Sequence, residues 1–142
     1  MGAQTSVPIS VESFESGDRP ELVFRGLEQA GPSFEGRVFL NRPDADEATA
    51  TTPEAGYAGS FHVYGYGEQM PPALAEARAA RPPGGPPVAP IEKRVRADEA
   101  AMRRALEETD ALTVTVVPVP ADPGGEGPER PFQDVEIVFG RG

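Results

Sequence analysis

The chain has 142 residues, a net charge of −10 and no cysteine. This length suits one domain with one hydrophobic core, and a hydrophobic content of 38% fits a folded protein with long loops. The absence of cysteine excludes disulfides, iron–sulfur sites and thiolate copper ligation within this chain. The acidic balance argues against a nucleic-acid-binding surface, which is built from clustered lysine and arginine.

The N-terminal sequence, MGAQTSVPISVESF, has neither a basic start nor a continuous apolar run. The rest of the sequence contains no apolar stretch long enough to span a bilayer. We therefore expect a soluble, cytoplasmic protein without membrane contact, unless a partner exports it.

Short apolar runs separated by turn residues predict strands in the first half of the chain. Val7, Ile9 and Val11 alternate with polar residues and predict a first strand, which Pro8 pushes toward a sheet edge. Residues 16–20 predict a turn. The further strands predicted here are 21–27, 34–41 and 57–66, with an acidic surface loop over 44–56.

The second half of the chain opens with an irregular, Pro/Gly-rich segment, 68–90, that contains a short predicted helix at 73–80. Residues 91–97 are predicted to be extended. Asp98 is a predicted N-cap of a second helix, because Glu99 and the later arginines have the charge order that a helix dipole favours. Strands are predicted over 112–117 and 132–139, the second with Val135, Ile137 and Phe139 on one face.

This order of elements gives about seven strands and one or two short helices. It predicts a mainly β protein, an antiparallel β-sandwich of the cupredoxin-like or jelly-roll-like kind. We expect a single domain over 1–142, with 1–19 as an edge strand or extension.

Residues that would support catalysis are scarce. His62 is the single histidine, whereas a type 3 copper pair needs six imidazoles. No serine lies in a Gly-x-Ser-x-Gly elbow, and no glycine-rich phosphate loop precedes a helix. We therefore predict that this chain is not an enzyme and holds no cofactor. The weakest alternative is an enzyme with a metal bound to the acidic loop. The spacing of the carboxylates in this loop matches no calcium-binding loop. The carboxylates are those of Asp44, Asp46, Glu47 and Glu54.

The aromatic residues of the strand 57–66 are more informative. On a regular strand His62, Tyr64 and Tyr66 share one face, whereas Phe61 and Val63 point into the core. The exposed face has two interpretations, a contact surface for a partner or amphipathic tyrosines at the rim of the sandwich.

Segment 34–45, FEGRVFLNRPDA, and segment 57–65, YAGSFHVYG, resemble the C-terminal β-sandwich of tyrosinases, polyphenol oxidases and hemocyanins, the type 3 copper proteins. The likeness covers about residues 20–140 and includes the segments 86–95, 103–106, 112–118 and 135–139. The chain departs from that family in lacking the histidine-rich copper domain. It also has Tyr66 where the family has the histidine of a Gly-His-Gly motif, and no cysteine pair follows.

In that family the sandwich covers the copper site, and one of its residues can occupy the substrate pocket. The resemblance thus implies a non-catalytic accessory, lid or copper-chaperone-like subunit of a tyrosinase-like copper oxidase, with copper held only by the partner. Its candidate contact or placeholder residues are His62, Tyr64, Tyr66 and Met70. The alternative is a stand-alone protein-binding or self-assembling module, a homo-oligomer with no oxidase partner.

Overall fold

The computed structural model describes residues 4–6, 8–11, 18–28, 33–64, 71–80, 82, 90–121 and 131–141. These residues form antiparallel strand pairs with two α-helices, which confirms the predicted mainly β, sandwich-like fold. None of the described helices is long and apolar enough to cross a membrane. The strands are β1 (Gln4–Thr5), β2 (Ile9–Ser10), β3 (Asp18–Glu28), β4 (Phe34–Leu40), β5 (Tyr57–Val63), β6 (Pro90–Arg96), β7 (Ala111–Leu112), β8 (Val114–Pro120) and β9 (Asp134–Arg141); the helices are α1 (Pro72–Ala80) and α2 (Glu99–Glu108).

The strands are arranged in two main sheets. One sheet has the order β1-β8-β4-β5, and the other has the order β6-β3-β9. The short strands β2 and β7 form a separate pair. Strands β5 and β6 therefore lie at the edges of their sheets in the described part of the chain.

The two main sheets enclose a common hydrophobic core. Phe24 of β3 contacts Phe61 of β5, with ring centroids 5.0 Å apart, and contacts Phe132 at 5.3 Å. Phe61 is paired in register with Gly36 of β4. A Cβ atom at position 36 would overlap the Phe61 ring, so glycine is what allows this ring to lie against β4.

A second, smaller cluster lies on the outer face of the four-stranded sheet. Phe39 and Val117 are buried there together with Ala45 from the following loop. Tyr57 packs against the same cluster, its ring 5.6 Å from that of Phe39. The loop between β4 and β5, which includes a 3₁₀ helix at Pro53–Ala55, is thereby held against the sheet.

The outer face of the three-stranded sheet is charged. Arg25 contacts three carboxylates, the closest being Glu136 at 2.9 Å, and Arg94 contacts Glu21 at 2.8 Å and Glu92 at 3.4 Å. These hydrogen-bonded carboxylates raise the pKa of both arginine side chains above its usual value. Since the pairs are largely exposed, their contribution to stability is small.

Asn41 connects three elements at the end of β4. Its backbone is left-handed, with φ 56°, and its backbone N–H donates a hydrogen bond to the backbone carbonyl of Thr113 at 2.9 Å. Its side-chain Oδ1 accepts from the Thr113 amide at 3.1 Å, and its Nδ2 donates to the carbonyl of Ala105 in α2 at 3.1 Å. One side chain thus fixes the end of β4 to α2 and to the chain before β8.

Most predicted elements are confirmed, including the short helix at 73–80 and the Asp98 cap, whose carboxylate accepts from the Ala101 amide at 3.0 Å. Three predictions need correction. The predicted turn at 16–20 is wrong over its last part, because Asp18 to Pro20 pair with β9 before the pairing with β6 begins at Glu21. The predicted strand 112–117 is divided at Thr113, which bonds to Asn41. The described residues contain nine strands rather than about seven, because β1 lies outside the predicted elements and the predicted strand 112–117 forms both β7 and β8.

Replacing Gly36 with alanine tests the packing of Phe61. We expect Gly36→Ala to lower the free energy of unfolding by about 1–3 kcal/mol, because the added methyl group forces the aromatic ring out of place. Thermal and urea unfolding measure this loss. Ser60→Ala, a change on the outer face of β5, is the matched control. Phe61→Leu should lower the free energy of unfolding less in the Gly36→Ala background than in the wild type. Equal losses in the two backgrounds would contradict the overlap between a Cβ at position 36 and the Phe61 ring.

Two substitutions of Asn41 separate the contribution of its backbone conformation to stability from that of its side chain. We expect Asn41→Gly to cost about 1–2 kcal/mol, through the lost side-chain hydrogen bonds. Asn41→Ala should cost about 1–2 kcal/mol more, because alanine resists the left-handed conformation. Urea unfolding of the two variants measures the difference. If alanine proved no worse than glycine, the left-handed backbone would not matter for stability.

Candidate functional site

Strand β5 places its side chains on two faces, as its sequence predicts. Phe61 and Val63 are buried in the main core. His62 and Tyr64 are exposed, and their rings are stacked at a centroid distance of 6.3 Å and an interplanar angle of 17°. The two predicted residues are therefore brought together on the outer face of the four-stranded sheet.

His62 lies opposite Glu35 of β4 in the strand register. Its Nε2 is 4.0 Å from Glu35 Oε2, while Glu35 Oε1 accepts a hydrogen bond from Arg37 Nε at 3.1 Å. Arg37 also donates to the carbonyl of Glu47 in the loop, at 3.4 Å. The four side chains Tyr64, His62, Glu35 and Arg37 form one row across the two strands, which we call the β5 edge patch.

Tyr64 is the most exposed member of the β5 edge patch. Its relative accessibility is 74%, and it is the one large hydrophobic residue that is exposed among the described residues. It follows directly after Val63, which is 1% exposed and anchors the end of the strand in the core. The exposed tyrosine therefore directly follows a residue that is anchored in the core.

The other two predicted contact residues, Tyr66 and Met70, lie outside the described residues. Whether they share a surface with His62 and Tyr64 stays a prediction.

Glu35 and Arg37 were missed by the sequence reasoning. Their signal is the alternation in β4, where Phe34, Gly36 and Val38 face the core and the residues between them face outward. The partner of each outward residue follows only from the register, and that register shifts between Val38 and Phe39. Because a long loop joins the two strands and a bulge shifts their register, this pairing cannot be predicted from the sequence alone.

The acidic loop gives no sign of a metal site. Asp46 accepts hydrogen bonds from the Ala48 amide at 2.9 Å and from the Thr49 hydroxyl at 3.3 Å, so its carboxylate serves the local turn. Throughout the described ranges, no group of three or more His, Cys, Asp and Glu side chains could hold a metal ion.

Comparisons with known proteins add no relative, because no family model, no curated protein and no solved structure matches this chain.

The exposure of the β5 edge patch predicts that its aromatic end is not needed for folding. We expect Tyr64→Ser and His62→Gln to change the free energy of unfolding by no more than about 0.5 kcal/mol, because neither side chain is in the core. Phe61→Ala, one residue away on the buried face, should cost about 3–5 kcal/mol. Urea unfolding compares the three variants. A large loss in Tyr64→Ser would assign this ring a structural role.

Proposed function

We propose that this protein acts by binding rather than by catalysis, as an accessory or lid subunit of a tyrosinase-like type 3 copper oxidase. The observation that carries the proposal is the exposed Tyr64 ring at the end of a strand whose neighbouring residue is anchored in the core. An aromatic side chain that enters a partner's pocket needs a rigid support, because ordering a mobile one would cost affinity.

The β5 edge patch suits such a contact chemically. Tyr64 and His62 offer stacked rings, and aromatic residues are enriched among those that dominate binding energy at interfaces. Glu35 and Arg37 supply a polar border next to them, with the Glu35 carboxylate already engaged by Arg37 at 3.1 Å. The patch thus combines an apolar projection with a satisfied polar rim.

Under this proposal the copper and the oxidase activity belong to the partner. One histidine cannot provide the six imidazoles of a type 3 pair. His62 would then act as a transient ligand or as a contact residue during copper delivery, and Tyr64 would shield the partner's substrate pocket. The resemblance of the strands 34–41 and 57–64 to the sandwich of these oxidases supports the same role.

Co-expression tests the proposal. A six-histidine copper oxidase encoded beside this gene should copurify with the chain as a complex of defined stoichiometry. We expect Tyr64→Ser to weaken that complex at least about tenfold, as for an aromatic anchor residue. Arg104→Ser, an exposed change on α2, is the matched control and should leave the affinity unchanged. The absence of any complex with such an oxidase would rule the proposal out.

One observation favours a second candidate, a self-assembling or protein-binding module. β5 lies at the edge of its sheet in the described part of the chain; its start lies against the end of β6, but the rest of an edge strand can pair with another chain. Sedimentation equilibrium separates the two candidates. A specific homo-oligomer that persists in Tyr64→Ser, without an oxidase partner, would favour self-assembly.

A further inference from the structure

A solvent-open groove lies at the other end of β5, where the start of this strand meets the end of β6 and the first turn of α2. Its volume is about 1070 Å³, close to the size of small-molecule sites. Its walls include Arg19 and Pro20 of β3, Tyr57 and Ala58 of β5, and Arg96 of β6. None of the β5 edge patch residues lines it.

The two arginines of the groove differ from the others on the same sheet. Arg25 and Arg94 each contact at least two carboxylates. Arg19 and Arg96 are both exposed, and neither makes an ion pair within the residues that the structure describes. In a chain with a net charge of −10, two exposed arginines that make no ion pair among the described residues are an unusual arrangement within one groove.

The strand register brings these two arginines together. Arg96 is paired with Glu21 of β3, and Arg19 lies two residues before Glu21 on the same face of that strand. Diagonal neighbours of this kind are separated by about 7–8 Å, so both guanidinium groups can reach one ligand group between them. Glu21, the nearest acid in the register, is occupied by Arg94 at 2.8 Å.

The backbone around the groove is already hydrogen-bonded. The Ala97 amide donates to the Pro20 carbonyl at 2.9 Å, and the Asp98 amide donates to the Ala58 carbonyl at 2.9 Å. The Tyr57 amide donates to the Thr52 carbonyl at 3.0 Å. Since these groups are satisfied within the chain, a ligand here would be recognised by side chains rather than by addition of a strand.

Two acidic residues also line the groove and limit the charge that it can accept. The Asp98 carboxylate is engaged as the cap of α2, accepting from the Ala101 amide at 3.0 Å, and Glu99 is exposed in the first turn. They would repel a polyanion but leave the two guanidinium groups available to a single carboxylate. Pro53, Tyr57 and Ala100, which are half-buried or exposed, offer apolar surface to the rest of such a ligand.

We propose that this groove binds a small organic carboxylate, with its anionic group between Arg19 and Arg96 and its apolar part against Pro53 and Tyr57. Guanidinium groups recognise carboxylates through paired, charge-assisted hydrogen bonds, which favours arginine at such a site. The site is separate from the proposed partner contact and does not depend on it.

An amide chemical-shift titration of the full chain with benzoate tests this proposal. We expect saturable shifts confined to the groove, at amides such as those of Gly59, Ala97 and Ala100. Arg19→Gln and Arg96→Gln should each raise the dissociation constant about tenfold. Arg104→Gln removes an exposed arginine outside the groove and should leave the constant unchanged.

Three further probes define the outcome. Benzamide, the uncharged analogue, should not bind, and acetate should bind more weakly than benzoate because it lacks the apolar part. A peptide of alternating Glu and Leu should bind no better than acetate if the site is built for small molecules; tighter binding of the peptide would overturn that assignment. Benzoate shifts that never saturate, or that Arg104→Gln weakens as much as Arg96→Gln, would overturn the site itself.

Discussion

The packing of Phe61 against Gly36 is the contact on which the rest of this structure depends. The ring lies against the backbone of β4 at the one core position where no Cβ would obstruct it, and it contacts Phe24 of the opposite sheet at 5.0 Å. Because strand side chains alternate, an inward Phe61 turns His62 and Tyr64 outward. A shift of one residue would bury the polar ring and expose the core ring, so this single contact fixes the β5 edge patch.

Charge is distributed unevenly on the outer faces. On the three-stranded sheet Arg25 and Arg94 share the same acid, Glu92, and each has at least one further carboxylate. On the four-stranded sheet Arg37 is paired with Glu35. The acids therefore compensate these arginines locally, whereas Arg19 and Arg96 make no ion pair among the described residues and lie together in one groove. This coincidence distinguishes the groove from an ordinary exposed charged surface.

The sequence predicted features whose cause is local. The alternation of β5, the Asp98 cap and the buried face of β9 each depend on residues within one element, and each is confirmed. It did not predict features that require two distant segments to meet. The role of Asn41 depends on Thr113 and Ala105, which lie far along the chain. The Glu35–His62 pair depends on a register that a bulge shifts, and the groove depends on residues from β3, β5, β6 and α2 together.

The two proposed surfaces lie at opposite ends of β5, and their separation has an energetic consequence. Tyr57 and Tyr64 are seven residues apart along an extended strand, which places the groove and Tyr64 about 20 Å from one another. This exceeds both the distance over which substitutions usually couple and the screening length of exposed charges in physiological salt. The strand between them is held by the main core, so binding at one end need not deform the other. The edge strand thus serves as a support for two independent proposed surfaces, an aromatic one at its end and a groove with two arginines at its start.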